Sequence, residues 1–268
     1  MKKLFKPVAV GLIASLALVG CGTSTSEAGS GSKDDTTPVE TKEIIVSAAA
    51  SLKDAMTEIE KEYTSKNKNI KLTFNFGSSG SLQQQIEQGV PADVFISAGK
   101  KQVDTLEEKN LLKSGTRLDL LLNDLVLVVG NDNTTITKFE DLTKADKISI
   151  GTPESVPAGK YAQESLTNLK LWDSLQEKLV LAKDVTQVLT YVESGNVDAG
   201  LVYKSDAQGS TKVKVVTAAP ADSHSKIVYP AAVIESTENP DEAKHFIDYL
   251  STKEAQDIFV KYGFKSAK

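Results

Sequence analysis

Ser51 and Ser79 each stand where a short β-like run gives way to an amphipathic helical pattern, in AAASLKDAM (48–56) and FNFGSSGSLQQQI (74–86). The first turn of a helix carries backbone N–H groups with no intrahelical partner, and the aligned peptide dipoles leave partial positive charge there. Small residues let a ligand approach those donors, and a serine hydroxyl adds another. Two such junctions facing one cavity would bind an anion without any formal positive charge. Serine is also an ordinary N-cap, so neither junction decides the matter alone.

Three further turns have the same character. Pro157 in Val156-Pro157-Ala158-Gly159 suits a helix start, and Ala158 and Gly159 leave backbone N–H groups accessible. Asp184-Val185-Thr186 opens another helix, and Tyr203 follows a strand and offers a phenolic hydroxyl. Taken one by one, Ala158 and Val185 suit plain packing, and Tyr203 a half-buried aromatic.

The elements that must position these residues alternate along the chain. Strands are expected at 43–49, 70–76, 93–98, 124–130, 147–153, 178–184, 198–207 and 226–234. Helices are expected from Ser51 to Tyr63, from Ser81 to Gln88, and over 100–109, 159–170, 186–194 and 240–260. This order predicts an α/β fold of layers with mostly parallel sheets. Ligands of open α/β sheets sit beyond the carboxyl ends of the strands, where all five turns fall.

Composition removes several function classes. The chain has 268 residues, a net charge of −5, two histidines and one cysteine. There is no basic stripe with aromatic platforms for nucleic acid and no Gly-rich loop followed by Lys and Ser/Thr for a nucleotide. His224 and His245 have no evident nucleophile partner, so an enzyme is not expected. Metal-ligand spacing of His, Cys, Asp or Glu is absent.

The N-terminus points out of the cytoplasm. Lys2, Lys3 and Lys6 precede an apolar run from Val8 to Gly20. That run is too short for a bilayer span of about 20 residues and reads as a secretory signal over residues 1–20. It ends at Cys21, the only cysteine, in the context Leu18-Val19-Gly20-Cys21, which resembles a bacterial lipobox. Residues 21–42 are Gly, Ser, Thr, Asp and Lys with little that is apolar, the composition of a flexible tether. Cleavage before Cys21 removes three lysines and no acid, so the net charge falls from −5 to −8. Such a surface does not steer anions from a distance, and an anion site must work through local donors.

Together these residues resemble the substrate-binding proteins of bacterial molybdate ABC transporters. The likeness is carried by SAAASLKDAM (47–56), GSSGSLQQQIEQGVPADVFISAG (77–99), GTPESVPAGKYA (151–162), DVTQVLTYVESGNVDAGLVYKSDA (184–207), VYPAAVI (228–234) and IFVKYGF (258–264). The resemblance implies an α/β, two-lobed periplasmic-binding-protein-like fold (type II), with a hinge and the ligand in the interlobe cleft. Lobe 1 would be 43–122 plus 228–268, and lobe 2 would be 123–227. It implies that molybdate or tungstate is held by Ser51, Ser79, Ala158, Val185 and Tyr203, with Ser79 rather than Ser78 making the second contact. Molybdenum would be bound through its oxygens, with no direct metal ligand and no cofactor. The implied partners are an ABC permease and, through lipid on Cys21, the outer face of the cell membrane. A monomer without nucleic acid is expected. Size would separate molybdate and tungstate from the smaller sulfate.

Overall fold

β1 (Lys42–Ala49) opens the chain traced by the computed structural model, which describes residues 41–268. The expected signal segment, Cys21 and the tether as far as residue 40 lie outside the described residues. Ile44, Val46 and Ala48 of β1 are fully buried, and the strand is interior to its sheet with a neighbour paired on each side. A 3-10 turn (Ala50–Leu52) leads into α1 (Lys53–Lys66), so Ser51 precedes the α-helix instead of starting it. Ala55, Met56, Ile59 and Tyr63 form the buried stripe of α1. Burying each of the larger of these side chains contributes about 1.5–3 kcal/mol.

β2 (Ile70–Gly77) lies parallel to β1, and α2 (Ser79–Glu87) carries the chain to β3 (Val94–Ile96), parallel to β1 on its other side. α3 (Lys100–Glu108) and β4 (Leu118–Leu122) follow. The chain then passes through Asn123 and Asp124 into a second sheet at β5 (Leu125–Gly130).

That sheet is completed by β6 (Ile148–Gly151), α4 (Pro157–Asn168), the short α5 (Trp172–Leu175), β7 (Leu179–Ala182), α6 (Val185–Glu193), β8 (Ala199–Tyr203), α7 (Lys204–Gln208) and β9 (Val213–Ala218). The chain returns to the first sheet as β10 (Val228–Val233), then α8 (Pro240–Leu250), α9 (Lys253–Lys261) and β11 (Lys265–Ser266). The strand orders are β11-β4-β10-β3-β1-β2 and β7-β6-β8-β5-β9. Each sheet with its helices makes one lobe, and two crossings join them. The crossings touch where the Asn123 N–H donates to the Ile227 carbonyl at 3.4 Å.

The fold class is the expected one, but the sheets are not mostly parallel. β1 with β2 and β3, and β6 with β7 and β8, are parallel, whereas β3–β10, β10–β4, β4–β11, β5–β8 and β5–β9 are antiparallel. A strand buried on both faces reads as the same apolar run in either direction, so its orientation is set by the return path of the chain. The helix expected over 240–260 is broken at Ser251-Thr252, where Thr252 turns extended and its hydroxyl accepts from the Ala255 N–H. β4 and β9 had no distinct signal, and the strand expected over 198–207 stops at Tyr203, where the chain turns into the helix α7. β9 is an edge strand with mostly exposed or half-buried residues, so its apolar alternation is weak.

Candidate functional site

The carboxyl ends of β1 and β2 deliver the two serines. Ser51 lies in the 3-10 turn after β1, and its Oγ is 3.0 Å from the Tyr229 hydroxyl. At the second junction the cap of α2 is Ser78, not Ser79. The Ser78 Oγ accepts from the Ser81 N–H at 3.3 Å and donates to the Ser81 Oγ at 2.8 Å, so its proton is committed. Ser79 is the first helical residue, almost fully buried, and its Oγ accepts the Ala98 N–H at 2.9 Å. A hydroxyl that already accepts keeps its own proton to donate.

The second lobe supplies the opposite wall. Pro157 begins α4, which leaves the N–H groups of fully buried Ala158 and of Gly159 among the unpaired donors of the first turn. Gly159 packs against the backbone of Gly151, so α4 approaches β6 closely. Asp184 caps α6: its carboxylate accepts from the Gln187 N–H at 2.8 Å while the Gln187 Oε1 accepts from the Lys183 N–H at 2.8 Å. This reciprocal pair leaves Val185 at the bare start of α6. Tyr203 ends β8, is 1 % exposed, and its hydroxyl reaches the Ala98 carbonyl of the other lobe at 3.4 Å. Burial holds the Tyr203 phenol well above its ordinary pKa, so it stays a neutral donor.

All five sequence-predicted residues therefore line one cavity, together with Ala49, Ala50, Gly77, Ser78, Ala98, Val156, Pro157 and Asp184. Among these lining residues none is Lys, Arg or His. About 10 Å³ of the cavity is open to the centre of a water molecule, close to the least that one water needs. An occupant larger than one water, a tetrahedral oxyanion included, would have to part the walls. They are drawn together here, since the Gly80 N–H of α2 donates to the Ser155 carbonyl of the second lobe at 2.9 Å.

Sequence reasoning missed Ala98, Gly80 and Tyr229. Ala98 and Gly80 are in a segment already singled out, but their contacts cross between distant parts of the chain. His224 and His245 lie away from the cavity. The His245 Nδ1 is 2.9 Å from the Tyr63 hydroxyl, and the His224 Nδ1 is 2.8 Å from the Ser225 carbonyl. Among the described residues, no group of three or more His, Cys, Asp or Glu is placed to hold a metal ion.

One buried acid lies beside this wall. Asp206 of α7 keeps part of its surface exposed, but its Oδ2 is sealed from solvent and has no hydrogen-bond partner. Burial pushes its pKa from 3.8 up to about 8; backbone hydrogen bonds at Tyr203 and Asp206 pull it down, and Asp54 and Asp184 add to the rise. The folded protein therefore holds a proton that the unfolded chain releases near pH 4. Stability from this group is full below about pH 4 and is lost as pH rises towards about 8. Asp206→Asn is expected to flatten that decline and to raise the melting temperature at pH 8, by about 2–4 °C for each kcal/mol gained. Thermal melts from pH 5 to pH 8.5 check this, and parallel curves for the two proteins would refute it.

Two α/β lobes closing on a cavity walled by helix starts define a solute-binding protein, in which ligand contacts to both lobes favour the closed form. The chain belongs to the bacterial extracellular solute-binding protein family, whose pattern it matches over residues 44–265. It is 45 % identical over 265 residues to a Bacillus subtilis protein assigned as the ABC transporter substrate-binding lipoprotein YvgL, covering 98 % of this chain and 99 % of that one. It is 43 % identical over 228 residues to the molybdate-binding protein ModA of Escherichia coli, covering 82 % and 88 %. Among solved structures, the substrate-binding domain assigned to a molybdenum ABC transporter of Clostridium difficile superposes with a TM-score of 0.67. That domain is 52 % identical, with 84 % of this chain and 99 % of that one covered.

Proposed function

We propose that this chain is an extracytoplasmic receptor that binds molybdate in the interlobe cavity and passes it to an ABC permease. The observation that carries this reading is a cavity that gathers Ser51, Ser79, Ala158, Val185 and Tyr203 from both lobes with no cationic side chain in its lining. The one charged lining group, Asp184, has its carboxylate engaged by the Gln187 N–H. A dianion leaving water needs a donor for every oxygen, and rigid helix starts supply donors without reorganising. Such a wall suits a fully deprotonated tetrahedral oxyanion. It suits monohydrogen phosphate poorly, because that ion's proton needs an acceptor. The relatives named for molybdate support the choice among oxyanions.

Ser51 and Ser79 would donate through their hydroxyls, Ala158 and Val185 through backbone N–H groups, and Tyr203 through its phenol, whose proton would turn to the ligand from the Ala98 carbonyl. Tungstate matches molybdate in charge and shape and would bind as well. The receptor would act as a monomer, without catalysis and without a resident cofactor. Lipid on Cys21 would hold it at the outer face of the cell membrane, a reading supported by the lipoprotein assignment of the Bacillus relative.

Calorimetric titration of the soluble chain from residue 43 with molybdate, tungstate, sulfate and phosphate tests the reading. Tight binding of the first two with little heat from the others is expected; preference for sulfate would move the ligand assignment. Ser79→Ala removes a hydrogen bond to a charged acceptor, worth about 1.5–3 kcal/mol, and strands the Ala98 N–H. Molybdate affinity should fall about 10–100-fold, with smaller losses for Ser51→Ala and Tyr203→Phe. His245→Ala should leave it unchanged. Equal affinity in all four variants would refute the site.

A further inference from the structure

The Ser51 hydroxyl is the inner end of a hydrogen-bonded chain that starts at the crossing between the lobes. The Asn123 amide orientation is set by its Oδ1, which accepts the Asp124 N–H at 2.9 Å. Its Nδ2 then faces two hydroxyls, donating to the Ser205 Oγ at 2.9 Å and to the Tyr229 oxygen at 3.3 Å. Tyr229 is fully buried, and its oxygen is 3.0 Å from the Ser51 Oγ. Its ring meets Tyr203 edge to face at 5.7 Å and Phe264 at 5.4 Å, so packing fixes where the phenol points. Burial holds the Tyr229 pKa well above its ordinary value, so the phenol keeps its proton.

A phenol is a stronger acid than an aliphatic hydroxyl and is the better donor when the two meet. Either hydroxyl can donate across the 3.0 Å contact between Ser51 and Tyr229; because the Tyr229 oxygen already receives the Asn123 amide proton, the donor role is assigned to the phenol. The Ser51 oxygen is thereby occupied as an acceptor, and its own proton is left to face the cavity. With that assignment one direction runs through the series: Asn123 donates to Tyr229, Tyr229 to Ser51, and Ser51 would donate to the ligand. Donors in series polarise one another, and the last is held in the sense an unprotonated anion requires.

We infer that Tyr229 is a positioning residue for selectivity: it locks Ser51 as a donor, which strengthens binding of unprotonated oxyanions and disfavours protonated ones. This rests on the receptor reading above. Without the phenol, Ser51 can rotate and accept a proton from monohydrogen phosphate, so the discrimination of the site narrows.

The test is calorimetric titration of wild type, Tyr229→Phe, Ser51→Ala and the double variant with molybdate and with phosphate at pH 7.5. Tyr229→Phe keeps the ring and its packing. It is expected to weaken molybdate about tenfold, a loss of about 1.4 kcal/mol, while phosphate binding holds or improves. In the Ser51→Ala background the same change should have no further effect on either ion, because there is no hydroxyl left to orient. Equal losses for both ions, additive losses in the double variant, or no loss at all would each overturn the inference while the receptor reading stood. A wild type that fails to bind molybdate would remove both.

Discussion

Gly80→Ala is expected to weaken molybdate binding about 100-fold while leaving the unliganded protein as stable as before, or slightly more so. A Cβ at this position would lie 2.4 Å from the Ser155 carbonyl oxygen, 2.8 Å from its Cα and 3.0 Å from its carbonyl carbon. These are backbone atoms of the opposite lobe, and the Gly80 N–H already bonds that same carbonyl at 2.9 Å. The methyl group therefore forces the two lobes apart and breaks a bond between them. Overpacking of this kind costs about 1–3 kcal/mol, and the lost hydrogen bond adds about 1 kcal/mol.

Both costs fall on the closed form alone, because opening the cleft separates Gly80 from Ser155. A ligand that must close the lobes loses the whole of that amount, and about 2.8 kcal/mol corresponds to 100-fold. In the open form alanine is the better helix residue within α2, by up to about 1 kcal/mol. Affinity and stability should thus move in opposite directions. Calorimetry with molybdate, thermal melts without ligand, and small-angle scattering with ligand would measure the three quantities. Unchanged affinity, or a scattering profile that still compacts on binding, would show that this contact is not needed for closure.

Gly159→Ala should behave differently, although the substitution is the same. A Cβ there would lie 1.9 Å from the Gly151 carbonyl oxygen and 2.5 Å from its carbon. Gly151 and Gly159 belong to β6 and α4 of one lobe, so no opening of the cleft relieves the overlap. Either α4 moves off the sheet or β6 distorts, and both changes disturb the packing around Ala158 and Val156. The expected cost is about 3 kcal/mol, which for a domain of this size lowers the melting temperature by about 6–12 °C. Molybdate affinity should fall too, since the α4 start carries the Ala158 N–H. A melting temperature within about 2 °C of wild type would mean that α4 can shift freely, and that its close approach to β6 does not hold the wall of the cavity.

The class of fold was legible in the sequence because its signals are local. The second half of β1, Val46 to Ala49, is buried at every position and reads as a short run of small and apolar residues, and Ala55, Met56, Ile59 and Tyr63 recur at helical spacing. These patterns reflect what is buried, and they predict α/β layers whatever the chain does next. The helix starts were legible for the same reason, since small residues, Pro157 and Asp184 act within one turn. The finer structure of those starts was not. Ser78 takes the cap of α2, and the Ser79 hydroxyl, which accepts the Ala98 N–H, keeps its own proton to donate; two adjacent serines look alike until the backbone angles of each are set.

Strand direction, the break between α8 and α9 and the contacts across the cleft belong to the tertiary structure. β10 runs antiparallel to β3 and β4 because the chain reaches it from the second lobe, and nothing in its apolar run encodes that path. Tyr229 approaches Ser51 across 178 residues of sequence, and Asn123 approaches Tyr229 across 106. The amino-acid sequence by itself determined which turns could offer bare donors, because helix capping and small side chains are short-range chemistry. Only the folded chain decided that those turns share one cavity, that Gly80 closes it and that Tyr229 aims the Ser51 hydroxyl, because each depends on atoms brought together by packing two lobes.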